Sequence, residues 1–243
     1  MIAFKAIRER ASERKGGEQE LLKLLSEPAD DQALRRIGDD RVLAEMTKRI
    51  FCSGFSWSVV RNKWPGFEEA FKGFSPRVLI MQSDEFWDAL TADRRIVRYA
   101  AKIMAVRHNA QFVEDVAEEH GSFGAMLADW PARDLVGLFA LLAKRGKRLG
   151  GNTGTYFVRF IGKDTFLPTR DVVACLIDAG LEIDPKASTK RDQRLVQEQF
   201  NAWHEETGLP YAQLSRICAL SVGDNWRDGE VYDPSRRARY NKM

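Results

Sequence analysis

Apolar residues recur at spacings of three and four along nearly the whole chain, and strand-like alternation is scarce, so the sequence commits itself to helices. Only 8 prolines interrupt 243 residues. With 44% hydrophobic and 30% charged residues, the chain can bury a core as one large domain or two small lobes. Its longest apolar run, Leu135 to Ala143, has nine residues, well short of the roughly 18 that a membrane span needs, and we expect no membrane partner. The first ten residues carry Lys5, Arg8, Glu9 and Arg10 and no apolar leader, which predicts a cytoplasmic protein. Cys52, Cys175 and Cys218 are odd in number, widely spaced and without a CxxC pair, so we expect buried reduced thiols and no bound metal.

Breaks and caps divide the pattern. A helix is expected from about Asp40 to Phe51; Gly54 ends it, and Ser56 is placed to cap another through Asn62, before Trp64-Pro65-Gly66. The most regular stretch, Arg94 to Glu119, aligns Ile96, Ala100, Ile103 and Ala110 on one face and Arg94, Arg98 and Lys102 on another, an amphipathic helix with a cationic stripe. Ala132 to Lys144 is the most apolar helix and is expected at the centre. Helices follow from Thr155 to Ile161, Thr169 to Ala179, Ser188 to Glu206 and Tyr211 to Val222. This predicts an all-α protein, a single helical domain in two lobes over residues 1–225, with a basic, flexible tail over 226–243.

A net charge of +3 does not by itself announce a nucleic-acid binder, so the distribution of charge decides. Lys144, Arg145, Lys147 and Arg148 precede the turn Gly150-Gly151-Asn152-Thr153-Gly154. Backbone N–H groups in such a turn are unshielded, and the next helix start adds partial positive charge, so the turn can hold a phosphate. A glycine turn between two packed helices would explain the same residues without any ligand. His108, His120 and His204 fall at no metal-ligand spacing.

Two segments carry more than composition. Glu45-Met46, then Gly54-Phe55-Ser56-Trp57 and Lys63 to Phe74, resemble an opening block of the DNA-3-methyladenine glycosylase I family; Ile96 to Ala110 resembles that family's "IRxxxKIxAxxxNA" helix. With the turn at Leu149 to Thr153 and the segment Asp171 to Cys175, the resemblance runs in order over about residues 42–180. It implies a helix-hairpin-helix DNA glycosylase fold with two lobes around a cleft, acting as a monomer on double-stranded DNA with an alkylated base and needing no cofactor. Two features depart from it. The zinc-ligating Cys and His pairs are missing, the late pair reading Asp171-x-x-x-Cys175. The base-recognising Glu before the Ser-Trp motif is also absent, in a stretch that reads Arg49-Ile50-Phe51-Cys52.

The resemblance also assigns roles. A glycosylase extrudes its nucleotide into an aromatic-walled pocket, which implies Trp57 as the pocket wall with Phe51 and Phe55 beside it. A 3-alkylated adenine is cationic, and an indole face attracts such a cation by about 0.5–2 kcal/mol. Lys147, Arg148, Gly151, Asn152, Thr153 and Gly154 would hold DNA phosphate. The superfamily's catalytic Asp follows the hairpin: Asp171 lies in that neighbourhood, although strict alignment sets Thr169 there and Asp171 at a former zinc-ligand position. Lys102 reads by spacing as a surface cation and by its place in the motif as a structural one. The missing Glu and zinc ligands leave a second reading open, a DNA- or damage-binding relative without catalysis.

Overall fold

The computed structural model describes residues 2–223, and within them all regular structure is helical. Helices α1 (Phe4–Lys15) and α2 (Glu18–Leu22) open the chain. Then come α3 (Asp31–Arg35), α4 (Asp39–Cys52), α5 (Trp57–Asn62), α6 (Trp64–Ala70), α7 (Pro76–Ile80), α8 (Asp84–Ala92), α9 (Ala100–His120), α10 (Phe123–Asp129), α11 (Leu135–Arg145) and α12 (Asn152–Phe160). The last described helices are α13 (Arg170–Asp178), α14 (Lys190–Thr207) and α15 (Tyr211–Ser221). None is long and apolar enough to cross a membrane. The tail expected over 226–243 lies outside the described residues. The chain divides into two compact units: one continuous, from Ala29 to Lys163, and one made from both ends of the chain, Met1–Pro28 with Asp164 onward.

The continuous unit is organised around α4 and α9. On α4 the buried positions Val42, Leu43, Met46, Ile50 and Phe51 leave little of the helix exposed, and α9 packs Ile103, Val106, Ala110 and Val113 against it. An aromatic layer closes one side: Trp64 stacks on Phe67 and on Phe74, each with centroids 5.4 Å apart. At Gly124 an added Cβ would lie 2.3 Å from the Leu34 carbonyl, so only glycine lets α10 approach α3 this closely. Asp39 Oδ1 accepts from the Phe123 N–H at 2.9 Å and ties the start of α4 to α10.

The other unit buries Phe4, Ile7 and Ala11 of α1 against α15, and Phe4 meets Trp203 of α14 with centroids 5.2 Å apart. Asp164 accepts from Tyr211 N–H at 3.1 Å and Ala212 N–H at 2.8 Å, supplying from a distance the cap that Pro210 cannot give α15. Cys175 and Cys218 are buried free thiols here, as is Cys52 in the continuous unit.

Two sequence expectations need correction. The helix expected from Arg94 begins only at Ala100: Arg95 N–H bonds Asp93 Oδ1 at 2.8 Å, and Gly66 abuts the Arg95 carbonyl, so 93–99 is pinned outside helical geometry. Arg94, Arg98 and Lys102 therefore form no single stripe, and Ala100 is exposed. The apolar helix expected at the centre, α11, buries only Leu135, Leu138 and Leu142 and lies at the edge. Apolar composition gives the number of buried side chains a helix could supply, and α4 supplies more through its position between neighbours.

Candidate nucleic-acid and base-binding site

The turn between α11 and α12 is built by α9. Asn109, fully buried, donates from Nδ2 to the Lys147 carbonyl at 3.1 Å and accepts the Lys147 N–H at 2.7 Å, gripping both backbone groups of one residue. His108 Nε2 lies 3.0 Å from the Arg145 carbonyl, and Arg145 pairs with Glu119 at 2.7 Å. Gly154 is packed so tightly that a Cβ would meet the Leu149 carbonyl at 2.1 Å, and Leu149 itself is buried. Arg148 adopts φ 61°, a left-handed conformation that side chains disfavour. The result is a rigid hairpin whose Lys147, Arg148, Gly151 and Asn152 face solvent. Gly151 precedes α12 with no side-chain cap, so the first N–H groups of a nine-residue helix point outward beside two cations. A groove of about 700 Å³ adjoins it, lined by Met104, Ala105, His108, Lys147 and Arg148 among others.

Trp57 is the first residue of α5 and remains 48% exposed. Its ring meets the edges of two α12 aromatics, Tyr156 at 6.1 Å and Phe160 at 5.6 Å. Arg49, one helix earlier and 6% exposed, lays its guanidinium over Trp57 at 4.9 Å and over Phe160 at 4.1 Å. Its Nε is 2.7 Å from Glu45 Oε1, a turn back on α4. Burial raises the Glu45 carboxyl above the ordinary range, and the Arg49 and Lys48 charges pull the other way. Glu45 and Phe160 also line a cavity of about 250 Å³ with Ala44, Lys48 and Trp64.

Lys102 links the two patches. It is buried, donates to the Phe51 carbonyl at 3.3 Å and to the Ser53 carbonyl, and lies 4.6 Å from the Phe55 ring and 5.7 Å from Tyr99. Of the two roles open to Lys102, the structure selects the structural one: it satisfies carbonyls left over at the end of α4. Burial, followed by the Arg148 charge, lowers its ammonium below the usual lysine range. Arg148 lies over Tyr99 at 5.6 Å, whose ring meets Phe55 at 6.2 Å.

The tryptophan after the first glycine break and the late hairpin thus meet in one unit, through Trp57 on α12 and through Phe55, Tyr99 and Arg148. Phe51 is not part of that wall: fully buried, it packs edge-on to Phe67 at 4.8 Å, because a helix already enclosed by neighbours turns this position inward. Asp171 belongs to the other unit, in the first turn of α13, where Thr169 is the N-cap and accepts from the Val172 N–H at 3.4 Å. Sequence reasoning passed over Tyr156 and Phe160, although their i, i+4 spacing on α12 carries the signal, and over Arg49 and Glu45, spaced likewise on α4.

Comparison with known proteins agrees with this architecture. The crystal structure of Methanocaldococcus jannaschii 8-oxoguanine glycosylase/lyase in complex with a 15mer DNA containing 8-oxoguanine superposes with a TM-score of 0.50 at 14% identity, covering 94% of this chain and 100% of that one. The fold is that of the helix-hairpin-helix DNA glycosylases. Within it, residues 33–135 match the methyladenine glycosylase family, a span that covers most of the continuous unit. Staphylococcus aureus 3-methyladenine DNA glycosylase I matches at 20% identity over 63% of this chain and 91% of that one, with a TM-score of 0.47. A point mutant of 3-methyladenine DNA glycosylase I from the same organism matches at 23% identity over 51% and 77%, with a TM-score of 0.46. No curated protein matches the chain.

Proposed function

We propose that this chain is a DNA glycosylase that flips an alkylated, 3-methyladenine-like purine out of double-stranded DNA and hydrolyses its N-glycosidic bond as a cytoplasmic monomer, without metal or cofactor. The observation that carries the reading is the half-exposed indole of Trp57 set against α12, the helix that starts at a capless, cationic hairpin. One element thereby serves both tasks: its N-terminus holds the phosphate, and its aromatic face receives the extruded base.

The hairpin amides and the Lys147 and Arg148 charges bind the backbone and set the register, while Trp57 stacks on the extruded base. The bond between the sugar C1′ and the base nitrogen breaks with its electron pair remaining on the base, whose positive charge makes it a good leaving group. Water adds to C1′ of the oxocarbenium-like sugar, and its proton passes to solvent. Phe55, beside Tyr99 and Lys102, borders the site, and Gly151, Asn152, Thr153 and Gly154 supply the backbone contacts to phosphate.

Incubation with methylated duplex DNA tests the reading: wild type releases methylated purines, Trp57→Ala does not, and duplex binding persists. Release at the wild-type rate by a folded Trp57→Ala variant overturns the reading. One observation favours a second reading, a damage binder without catalysis: Arg49 already covers the ring of Trp57. Tight binding to an abasic-site duplex with no base release identifies that protein.

A further inference from the structure

The Arg49 guanidinium is held in a way that a structural ion pair does not require. It rests on two aromatic faces, is 6% exposed, and lies 2.7 Å from Glu45 Oε1 through Nε without a hydrogen bond forming, so both Nε and Nη1 are buried with no hydrogen-bond acceptor. A buried donor without an acceptor costs stability, and it sits beside the indole to which the glycosylase reading brings the base. A guanidinium offers parallel N–H donors in one plane, which match the O6 and N7 acceptors of guanine in two bonds. Adenine presents an amino donor where guanine has O6, so the same contact sets donor against donor. A carboxylate makes the reverse choice, accepting from an exocyclic amino group. The Glu45 carboxylate, 2.7 Å from Nε, offsets the guanidinium charge, so a cationic alkylated base is not met by an isolated cation.

We propose that Arg49 is a specificity-determining residue of the base wall and that it selects 3-alkylated guanine over 3-alkylated adenine. The assignment rests on the glycosylase reading for the presence of a base at Trp57, and it names the edge that is read. Titration calorimetry of the full chain with free 3-methylguanine and free 3-methyladenine, run beside base release from methylated DNA, tests it. Wild type is expected to bind 3-methylguanine about tenfold more tightly, the discrimination of one bidentate pair. Arg49→Met removes every donor, so the ratio falls toward one; Arg49→Gln, whose carboxamide donates to N7 and accepts from the N6 amino group, turns the ratio toward 3-methyladenine, with thermal melting reporting whether each variant folds. Trp57→Ala weakens both bases alike. A wild-type ratio within twofold, a preference for 3-methyladenine, no binding of either base, or a folded Arg49→Met variant that keeps the ratio overturns the assignment. Methyladenine release with any of those results leaves the glycosylase reading standing without it. Selective guanine binding with no release supports the Arg49 assignment and overturns the reaction.

Discussion

Asn109→Ala tests whether the hairpin is positioned from α9. The side chain is fully buried and closes two hydrogen bonds on Lys147, at 3.1 and 2.7 Å. Each such bond contributes about 0.5–1.5 kcal/mol net, so their loss removes about 1–3 kcal/mol. Water reaches the exposed Lys147 and re-solvates its backbone, which keeps the cost in that range rather than at the full desolvation penalty. For a chain of this size each kcal/mol lowers the midpoint of thermal unfolding by about 2–4 °C, giving a fall of about 2–12 °C. The hairpin released from α9 also presents Lys147 and Arg148 less well, so duplex affinity falls more than tenfold and the dependence of log K on log salt becomes shallower. Thermal melts and duplex titrations at several salt concentrations read both effects. A midpoint within about 1 °C of wild type, by the same scale, together with an unchanged salt slope, would show that Asn109 does not hold the turn.

Further outcomes follow from the same geometry. Replacing Lys147 and Arg148 together by Ala should make the salt slope shallower by about 1.8, since each phosphate contact contributes about 0.9, with little change in melting; an unchanged slope excludes the hairpin from DNA. Gly154→Ala forces a Cβ against the Leu149 carbonyl and should cost about 1–3 kcal/mol in chemical denaturation. Lys102 has a lowered folded-state pKa, so between that value and the ordinary lysine value of 10.5 the unfolded chain binds the proton more tightly than the folded one. Wild type should therefore gain stability relative to Lys102→Met as pH rises through that window. A difference that is flat or shrinks as pH rises contradicts the burial of this ammonium.

Much of this was legible in the sequence because helical periodicity and glycine breaks are local signals. Gly54 marks the end of α4 and Gly150-Gly151 the approach to α12 closely enough to place Trp57 and the hairpin, although α12 begins at Asn152 rather than Thr155 and Ser56 stands before α5 without a side-chain cap bond. Burial was less legible, because it depends on neighbours. Phe51 and Phe55 look alike in sequence, yet one is sealed against Phe67 and the other borders Tyr99 and Lys102. By spacing alone Lys102 reads as a surface cation and by its place in the motif as a structural one, and only the leftover carbonyls of α4 decide between them. Arg49 was visible only as the absence of a carboxylate; that it fills the place with a guanidinium on two rings required the fold.

Chromatography of the bases freed from methylated genomic DNA, by wild type and by Trp57→Ala, tests whether Trp57 receives a base that the protein then excises. Wild type is expected to release methylated purines in an enzyme-dependent way, and Trp57→Ala to lose that release with duplex affinity held within a few fold. Release above the spontaneous background that survives in a folded Trp57→Ala variant would contradict the placement of the base, and a wild type that binds duplex but frees no base would contradict the reaction.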